Sequence, residues 1–398
     1  MLSYDEALAK ILQTATNPKI KSCPLTSSVG CCSAEDVFAT IDHPPLPQSA
    51  MDGYAISKPT EETQTRFSIV GACYAGDAQP QHLQSGEAIK VATGAPVPPN
   101  SFAVVPIEEC EDQNESLTVR SQPNQGKWIR IQGMDTSAGS KLLNIGDEIT
   151  PGRLSNLAQQ GLTEIKVFSA PRVAVLTSGD EVIEPGQPRL AHQIYNSNQT
   201  LVKTLLSQSQ AELGECLHIP DTQSATQNAL EVLSREHDLI ITTGGASVGE
   251  RDFLTDCLRQ HGTLEFWKVK ARPGKPVFTG HYNGAHVLGL PGNPVSTFVS
   301  FHLYGVPLIA RLGGATSTPQ KWTWVRWPSE AKPHPTRRDF LRASWSPTPN
   351  PEDLPYRLAT GQTSGHTSDL LSTNLLIEIP SREELKAAPP QKVRAFFL

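Results

Sequence analysis

The sequence lacks the features that membrane, secreted and nucleic-acid-binding proteins require. No apolar segment approaches the roughly 18–20 residues of a membrane span. The N-terminal stretch carries Asp5 and Glu6, which a signal peptide would not have. The formal net charge of −6 argues against general nucleic-acid binding. We therefore expect a cytoplasmic protein with no membrane and no nucleic-acid partner.

Cysteine patterns with a chemical role are also missing. The seven cysteines contain no Cys-x-x-Cys pair and no zinc spacing, and their number is odd. Cys31–Cys32 could form a redox pair, but two ordinary half-buried thiols are the commoner outcome. The pattern favours a cytosolic protein with reduced thiols.

Length and periodicity predict several domains in the 398 residues. From Pro171 onward, apolar runs such as "RVAVLTSG" and "DLIITTGG" alternate with helical segments such as "NSNQTLVKTLLSQSQ", which is typical of a parallel sheet. Short β-like runs punctuated by Gly and Pro precede and follow this region. We predict a multidomain α/β plus β protein with four parts. These are a helical linker domain (1–47 plus 141–168), an inserted small β-rich domain (48–140), a central parallel-sheet α/β domain (169–312) and a C-terminal β-barrel-like domain (313–398).

Charged residues accumulate where the strands of the α/β domain end. In chain order these are Asp180 and Glu181, Asp221, Asp252 after the glycine loop, and Lys268, Arg272 and Lys275, followed by "LPGNP" with Pro291 and Asn293. Ligands of such sheets bind beyond the carboxyl ends of the strands. Each feature alone has a structural explanation, such as a helix cap at Asp180–Glu181 or a simple turn at "PGKP". Five such features at successive strand ends favour a functional site.

The glycine loop "TTGGASVGERDF" resembles a phosphate-binding loop but carries acids where a Walker motif needs lysine. A loop of this kind is often only a tight turn. If it is functional, Gly244, Gly245 and Gly249 let backbone amides approach an anion. Carboxylates beside a phosphate call for a divalent cation, since magnesium is bound through one or two carboxylates plus phosphate oxygens. Asp252 is placed to serve that ion.

Further unusual segments lie outside the α/β domain. "QSAMDGYAI", "VATGAPVPPN" and "WIRIQGMD" place Asp52, Thr93, Arg130 and Asp135 in the β-rich region, where each segment alone would be interpreted as a turn. Arg342 lies on an alternating strand and by default would face solvent, and Ser364 lies in a serine-rich loop. His192, His281 and His366 show no ligand spacing, and we expect them to be structural.

These stretches together resemble the molybdopterin molybdenumtransferase family, which includes the E domain of gephyrin. The matching motifs occur in the same order along nearly the whole chain: SAMDGYA, TGAPVP, R-x-x-G-x-D, SGDE, TTGGASVGERDF, RPGKP, LPGNPVS and Ser-x(9)-Asn-x-L-x-x-IP from Ser364 to Pro380. The resemblance implies four domains per subunit, an α/β domain that binds molybdopterin, and a homodimer with its active site between subunits. It also implies magnesium-dependent insertion of molybdate into adenylated molybdopterin with release of AMP. Molybdopterin adenylyltransferase and downstream molybdoenzyme maturation proteins would be its partners.

The resemblance also implies roles for individual residues. Active-site positions are Asp52, Thr93, Asp135, Glu181, Asp221, Asp252 and Lys268. Positions that bind the pterin substrate or molybdate are Gly244, Gly245, Ser247, Gly249, Arg272, Lys275, Pro291, Asn293, Arg130, Arg342 and Ser364. Asp221 and Asp252 would hold magnesium, Arg342 and Ser364 would help bind molybdate, and the residues of the β-rich region would reach in from the partner subunit.

Three positions depart from the common pattern of that family. Arg272 stands where many members have Lys, Asn196 replaces a common Asp, and Met134 replaces a frequent acid beside Asp135. Two alternative functions stay open at this point. One is a molybdopterin-binding scaffold without catalysis, and the other is the preceding adenylyltransferase, which would need only the α/β domain.

Overall fold

The centre of the molecule is a six-stranded sheet. The computed structural model describes residues 1–15, 18–61, 64–113, 115–121, 123–244, 253–346, 355–385 and 389–398. In spatial order the central strands are Glu212–Ile219, Arg172–Ser178, Leu239–Thr243, Ala285–Leu290, Phe278–Tyr282 and Thr263–Trp267. The first four run parallel to one another. Helices Ser197–Ser207, Gln223–Leu233 and Phe253–His261 cover the sheet.

Alternation along the central strands produces two separate cores. Val173 and Val175 pack on one face with helices Tyr4–Thr14 and Ser197–Ser207. Ala174 and Leu176 pack on the other with Gln223–Leu233 and Phe253–His261. Successive side chains of a strand point to opposite faces, so a strand covered on both sides needs a continuous apolar run. That requirement explains why "VAVL" and "LII" predict these strands well.

The expectation of an all-parallel central sheet is wrong at one strand. Phe278–Tyr282 pairs antiparallel with Ala285–Leu290. Asn283 and Gly284 connect the two with φ of 47° and 88°, the backbone of a two-residue hairpin turn. The dipeptide Asn283–Gly284 is the sequence signal of such a turn. The run "FWKVKA" would predict a strand up to Ala271, but the edge strand Thr263–Trp267 ends before Lys268.

The N-terminal segment divides its contacts between two places. Helix Tyr4–Thr14 begins with a capping box of Ser3 and Glu6 and buries Tyr4, Ala7 and Ile11 in the core of the central sheet. Farther on, Ile20–Pro24 pairs with Glu164–Phe168, and Val37–Phe38 pairs with Lys141–Leu143. Helix Pro151–Gln159 contributes Leu157 to the small core between them. Helix Pro151–Gln159 therefore packs on the segment that follows the first helix.

A second six-stranded sheet lies between residues 48 and 140. Its strand order is Ala103–Pro106, Gly53–Ile56, Glu87–Val91, Arg66–Cys73, Ser116–Val119 and Cys110–Gln113. Gln48–Ser49 and Ile129–Arg130 form a separate ladder beside it. We call this part of the chain the β unit.

The C-terminal sheet takes one of its strands from the α/β region. The order is Ala271–Arg272, Arg338–Trp345, Leu375–Ile379, Lys392–Phe397 and Trp322–Arg326, with Tyr356–Leu358 paired to the second strand. Within the described residues its two edge strands do not pair with each other, so these six strands form an open sheet. Short helical turns occur at Leu25–Ser27, Ile107–Glu109, Thr367–Leu371 and Arg382–Leu385.

One helical run is long and apolar enough to cross a membrane, contrary to the expectation from sequence. It spans Pro294–Leu312 as Pro294–Ser300, a π-helical turn Phe301–Gly305 and Val306–Leu312. Val299, Leu303, Tyr304 and Leu308 lie in the core of the central sheet. A helix that is apolar on most sides is also what the interior of a large domain demands.

Candidate active site

Asp52 and Thr93, far apart in sequence, are joined in the β unit. The Asp52 carboxylate accepts hydrogen bonds from the Thr93 backbone N–H at 2.7 Å and from its hydroxyl at 3.1 Å. These two bonds hold the pKa of Asp52 below its usual value, and the bond from the backbone N–H has the larger effect. Asp52 is exposed, so an ionised carboxylate is presented to solvent in a fixed position.

Arg130 and Asp135 lie beside this pair on an exposed strip. Arg130 pairs in register with Gln48, four residues before Asp52. The backbone N–H of Asp135 donates to the carbonyl of His43 at 3.0 Å. Asp42 holds the same loop, because its carboxylate accepts from the Gln132 side chain and the Ala138 N–H, both at 2.8 Å. The predicted residues Thr93, Arg130 and Asp135 therefore all contact the chain segment from His43 to Asp52.

Carboxylates meet at the ends of two neighbouring central strands. Asp180 follows Arg172–Ser178 and Asp221 follows Glu212–Ile219, which are parallel neighbours. The Asp221 N–H donates to Asp180 Oδ1 at 3.1 Å. Glu181 comes next and is exposed. The sheet register therefore brings Asp180, Glu181 and Asp221 to one rim, as the sequence predicted.

Gly244 and "LPGNP" occupy the next positions on this rim. Gly244 has a φ of 89°, and a Cβ there would lie 2.9 Å from the Ser178 carbonyl oxygen. Asn293 caps the following helix by accepting from the Val295 N–H at 3.3 Å, and the Pro291 carbonyl accepts from the Thr297 hydroxyl at 2.6 Å. Predicted residues Gly245, Ser247, Gly249 and Asp252 lie outside the described residues.

Two lysines at this end of the sheet have no carboxylate partner in the described part of the chain. Lys268 has a φ of 75°, and its Nζ lies 3.6 Å from the centroid of the Trp267 ring. Lys275 is exposed. A Cβ at Gly274 would meet Ser300 Oγ at 2.6 Å, so the RPGKP segment packs closely on the helix that follows LPGNP. Both lysines are available to an anion.

Arg272 behaves differently from the two lysines. Its Nη2 lies 2.5 Å from Asp339 Oδ2. Asp339 is buried, and burial raises the pKa of its carboxyl group, an effect that the charge of Arg272 opposes. The cation expected to neutralise substrate charge thus already has a partner on the C-terminal sheet.

The expectation that Arg342 faces solvent by default is wrong. Arg342 is 0% exposed, because residues 359–369 fold over its strand. Its Nη2 donates to the carbonyls of Gly361 and Thr363 and lies 3.7 Å from Asp369 Oδ2. Nε and Nη1 are buried without a partner within the described residues. Burial is the main cause that lowers the pKa of this guanidinium, and Asp369 opposes it.

The second molybdate-binding candidate, Ser364, lies in the loop that covers Arg342. It is exposed and follows Thr363, whose carbonyl accepts from Arg342 at 3.1 Å. The adjoining turn Thr367–Leu371 contacts helix Pro294–Ser300 of the LPGNP motif. Arg342 and the Ser364 loop therefore adjoin the central rim.

Asn196, one of the departures from the family pattern, has a structural role. It is buried, caps helix Ser197–Ser207, and donates from Nδ2 to Thr177 Oγ1 and Glu184 Oε1, both at 3.0 Å. Met134, another departure, is 65% exposed. Sequence analysis gave no role to Asp339, Asp369 and Asp42, because their partners lie 67, 27 and 90 or more residues away. No local pattern signals such pairs.

The predicted residues that the structure describes form two groups, one in the β unit and one on the rim of the central sheet. Among the described residues, no hydrogen bond or ion pair connects residues 48–135 with residues 169–398. Nor do the described residues contain a group of three His, Cys, Asp or Glu side chains suited to a metal ion. Magnesium, however, needs only one or two carboxylates when phosphate oxygens complete its shell, and the Asp221 carboxylate is one such group at this rim.

The fold and rim define an α/β protein that presents acids and lysines where such sheets bind phosphorylated ligands. Residues 2–161 match the family described as MoeA N-terminal region (domain I and II), and residues 174–311 match the one described as probable molybdopterin binding domain. Curated relatives named molybdopterin molybdenumtransferase include one from Haemophilus influenzae, 35% identical over 79% of this chain and 78% of that relative. Another, from Staphylococcus epidermidis, is 31% identical over 79% of this chain and 76% of that relative.

Solved structures support the same assignment. The molybdopterin biosynthesis moea protein from Pyrococcus horikosii matches with a TM-score of 0.77 and 25% identity, covering 100% of this chain and 99% of that one. A second structure, from Pyrococcus horikoshii OT3, has a TM-score of 0.83 at 23% identity with full coverage of both chains, and shows the shared fold. The chain belongs to the molybdopterin molybdenumtransferase family, as the sequence motifs indicated.

Proposed function

We propose that this protein inserts molybdate into adenylated molybdopterin and releases AMP, with magnesium as its cofactor. The observation that carries the proposal is the rim where Asp180 and Asp221 meet while Lys268 and Lys275 lack a carboxylate partner among the described residues. Unpaired lysines suit the phosphates of an anionic substrate, and adjacent carboxylates suit a divalent cation between them. The relatives' name describes the same transfer.

Within this proposal, Asp221 together with Asp252 holds the magnesium ion, and Asp180 orients the Asp221 backbone. When bound, the ion would neutralise phosphate charge and act as a Lewis acid toward the pyrophosphate. Lys268 and Lys275 bind the phosphates, while Gly244 and the residues of LPGNP leave room for the pterin. The buried Arg342 presents two unpartnered N–H groups, which suit an oxyanion such as molybdate beside Ser364.

We further infer a homodimer whose active site combines both groups of residues. The group in the β unit lies on an exposed strip together with Trp128, Ile131 and Met134, three large side chains that are at least 40% exposed. Apolar exposure of this kind marks a contact surface. If a second subunit covers this strip, Asp52, Thr93, Arg130 and Asp135 of one chain complete the rim of the other. The four-part domain division given above, a cytoplasmic location and interaction with the adenylyltransferase belong to the same proposal.

Release of AMP tests this function directly. The purified protein would be incubated with adenylated molybdopterin, molybdate and magnesium, and AMP would be followed over time. We expect release only when all three are present. No release would support the catalytically inactive scaffold, and ATP-dependent adenylation of free molybdopterin would support the adenylyltransferase.

A further inference from the structure

The three cations of the segment from Lys268 to Lys275 have different electrostatic surroundings. Lys268 and Lys275 make no ion pair in the described part of the chain, whereas Arg272 Nη2 lies 2.5 Å from Asp339 Oδ2. A cation whose charge is already balanced attracts an anionic substrate less than its unpaired neighbours do. Arg272 is therefore the member of the set least suited to bind phosphate.

Asp339 depends on this arginine. The residue is 2% exposed, and its Oδ1 has no partner among the described residues. Burial raises the pKa of this carboxyl group, and Arg272 is the largest of the charges that oppose the rise, ahead of His334 and Arg337. Removing the ion-pair partner of a buried charge is strongly unfavourable. The pair is thus a specific contact between the RPGKP segment and the C-terminal sheet.

The pair lies at a junction of the backbone. Ala271–Arg272 pairs in parallel with Arg338–Asp339, and Arg272 is the register partner of Asp339. The Arg338 N–H also donates to the Lys270 carbonyl at 3.0 Å. This two-residue strand lies in the connection between central strands Thr263–Trp267 and Phe278–Tyr282, and it pairs that connection with the C-terminal sheet. The ion pair therefore reinforces a very short ladder.

The strand that begins at this junction carries Arg342. Asp339 and Arg342 are three residues apart on strand Arg338–Trp345, so their side chains leave it on opposite faces. Asp339 can act on Arg342 only through the position of the strand. A small displacement of the strand would move a fully buried guanidinium relative to the rim.

We propose that Asp339 is a positioning residue. It holds the Arg272 guanidinium away from the phosphates and, through it, fixes the C-terminal sheet and Arg342 against the rim. This proposal rests on the proposed function for its kinetic consequence, but the contact itself can be tested without activity. It also revises the role that family resemblance implies for Arg272, from substrate contact to a contact between two parts of the fold.

The test is a double-mutant cycle on the full-length protein with Arg272→Gln, Asp339→Asn and both together. Each single substitution should raise the KM for molybdate on the order of tenfold, and the double variant should be no worse than the poorer single one. The KM for adenylated molybdopterin should stay within about twofold, because Arg272 does not touch it. Lys275→Gln should show the reverse: a raised KM for adenylated molybdopterin and a nearly unchanged KM for molybdate. Arg235→Gln, which removes a surface pair with Glu231, should change neither value.

Amide hydrogen exchange gives a second measurement that needs no substrate. The Arg338 amide should exchange faster in all three variants of the cycle than in wild type or Arg235→Gln. If Asp339→Asn fails to fold, Arg272→Gln still tests the idea, because the arginine side chain is 47% exposed. Unchanged exchange in Arg272→Gln would overturn the proposal. A second result would also overturn the proposal. In it, Arg272→Gln weakens the binding of adenylated molybdopterin as much as Lys275→Gln does, and Asp339→Asn behaves like wild type. If wild type releases no AMP, the proposed function fails, and exchange alone decides whether the contact exists.

Discussion

The two groups of candidate site residues are held by the chain in opposite ways. In the β unit, the Asp52 carboxylate is exposed, but its bonds to Thr93 are already made. On the rim of the central sheet, Lys268 and Lys275 have no carboxylate partner among the described residues. The Asp52–Thr93 pair already has its hydrogen bonds, whereas the two lysines of the rim have no carboxylate partner in the described residues.

The β unit thus contributes side chains in fixed positions, whereas the rim of the central sheet contributes unpaired charges. Unpaired charges close together cost free energy unless a ligand compensates for them, so they are retained where a charged ligand binds. Pre-formed hydrogen bonds instead fix the position of a side chain. We therefore expect substitutions on the rim to change turnover strongly. Substitutions within the Asp52–Thr93 pair should change it according to how far they disturb geometry.

The largest effect should come from Asp221→Ala. This substitution removes the carboxylate but keeps the Asp221 N–H that donates to Asp180, so the strand ends stay in place. Loss of a group that organises charge in the transition state typically costs about 100-fold in turnover. AMP release should fall by that order and need more magnesium. Glu215→Ala, an exposed acid on the preceding strand, serves as the control, and an unchanged magnesium dependence in folded Asp221→Ala would remove this residue from the metal site.

A second substitution, Asn196→Asp, introduces the residue that is common in the family. It tests whether Asn196 has a structural role beside the rim. Asn196 donates to Thr177 and to the Glu184 carboxylate, and an aspartate could donate to neither. A buried carboxylate would face Glu184 at hydrogen-bond distance. We expect a loss of about 1–3 kcal/mol in the free energy of unfolding, measured by urea denaturation.

Ser197→Asp is the matched control for that substitution. It adds the same charge one residue away, at an exposed position in the first turn of the helix, where an acid is favourable. Its stability should equal or exceed that of wild type. If Asn196→Asp is as stable as wild type and releases AMP faster, the position is a metal ligand after all.

The sequence predicted the central sheet and its rim well because their signals are local. Buried strands read as continuous apolar runs, and Asn196 marks a helix start that the structure confirms. The sequence patterns also place acids at the ends of Arg172–Ser178 and Glu212–Ile219. Parallel pairing then brings those ends together without further information.

Features that depend on long-range pairing could not be predicted in this way. The burial of Arg342 follows from a loop that begins about 17 residues later, and alternation along its own strand gives no sign of it. Strand Lys392–Phe397 pairs with strands some 17 and 70 residues earlier in the chain, and no local pattern indicates this pairing. The ladder between Ala271–Arg272 and Arg338–Asp339 likewise joins segments that carry no common pattern.

Mixing two inactive variants tests whether the two groups come from different chains. Asp52→Ala and Asp221→Ala would be combined under conditions where subunits exchange. In the shared-cleft arrangement, each heterodimer has one cleft with both defects and one with neither. Activity should return to about a quarter of wild type when exchange is random, since half of the dimers are mixed. Native mass spectrometry confirms the exchange, and a mixture that stays inactive after exchange would assign both residues to one chain's site.

The smallest effect should come from Thr93→Val, which tests how the Asp52 carboxylate is held. The substitution removes the hydroxyl bond of 3.1 Å but keeps the backbone bond of 2.7 Å, the larger cause of the lowered Asp52 pKa. We expect the pKa of Asp52 to rise slightly and to stay below the ordinary value of about 3.9. A carboxyl group with a lowered pKa adds stability above that ordinary value and loses it as the pH falls through the lowered one. The loss should therefore be smaller in Thr93→Val and be complete at a slightly higher pH, while its onset stays at the ordinary value.

Carbon-detected NMR titration of the Asp52 carboxyl group measures the shift, and AMP release at neutral pH should change by less than about threefold, because the carboxylate is ionised there in both proteins. Thr93→Ser keeps the hydroxyl and is the control. If Thr93→Val reduces turnover as much as Asp221→Ala does, the hydroxyl itself contacts substrate. The β unit would then contribute chemistry as well as shape.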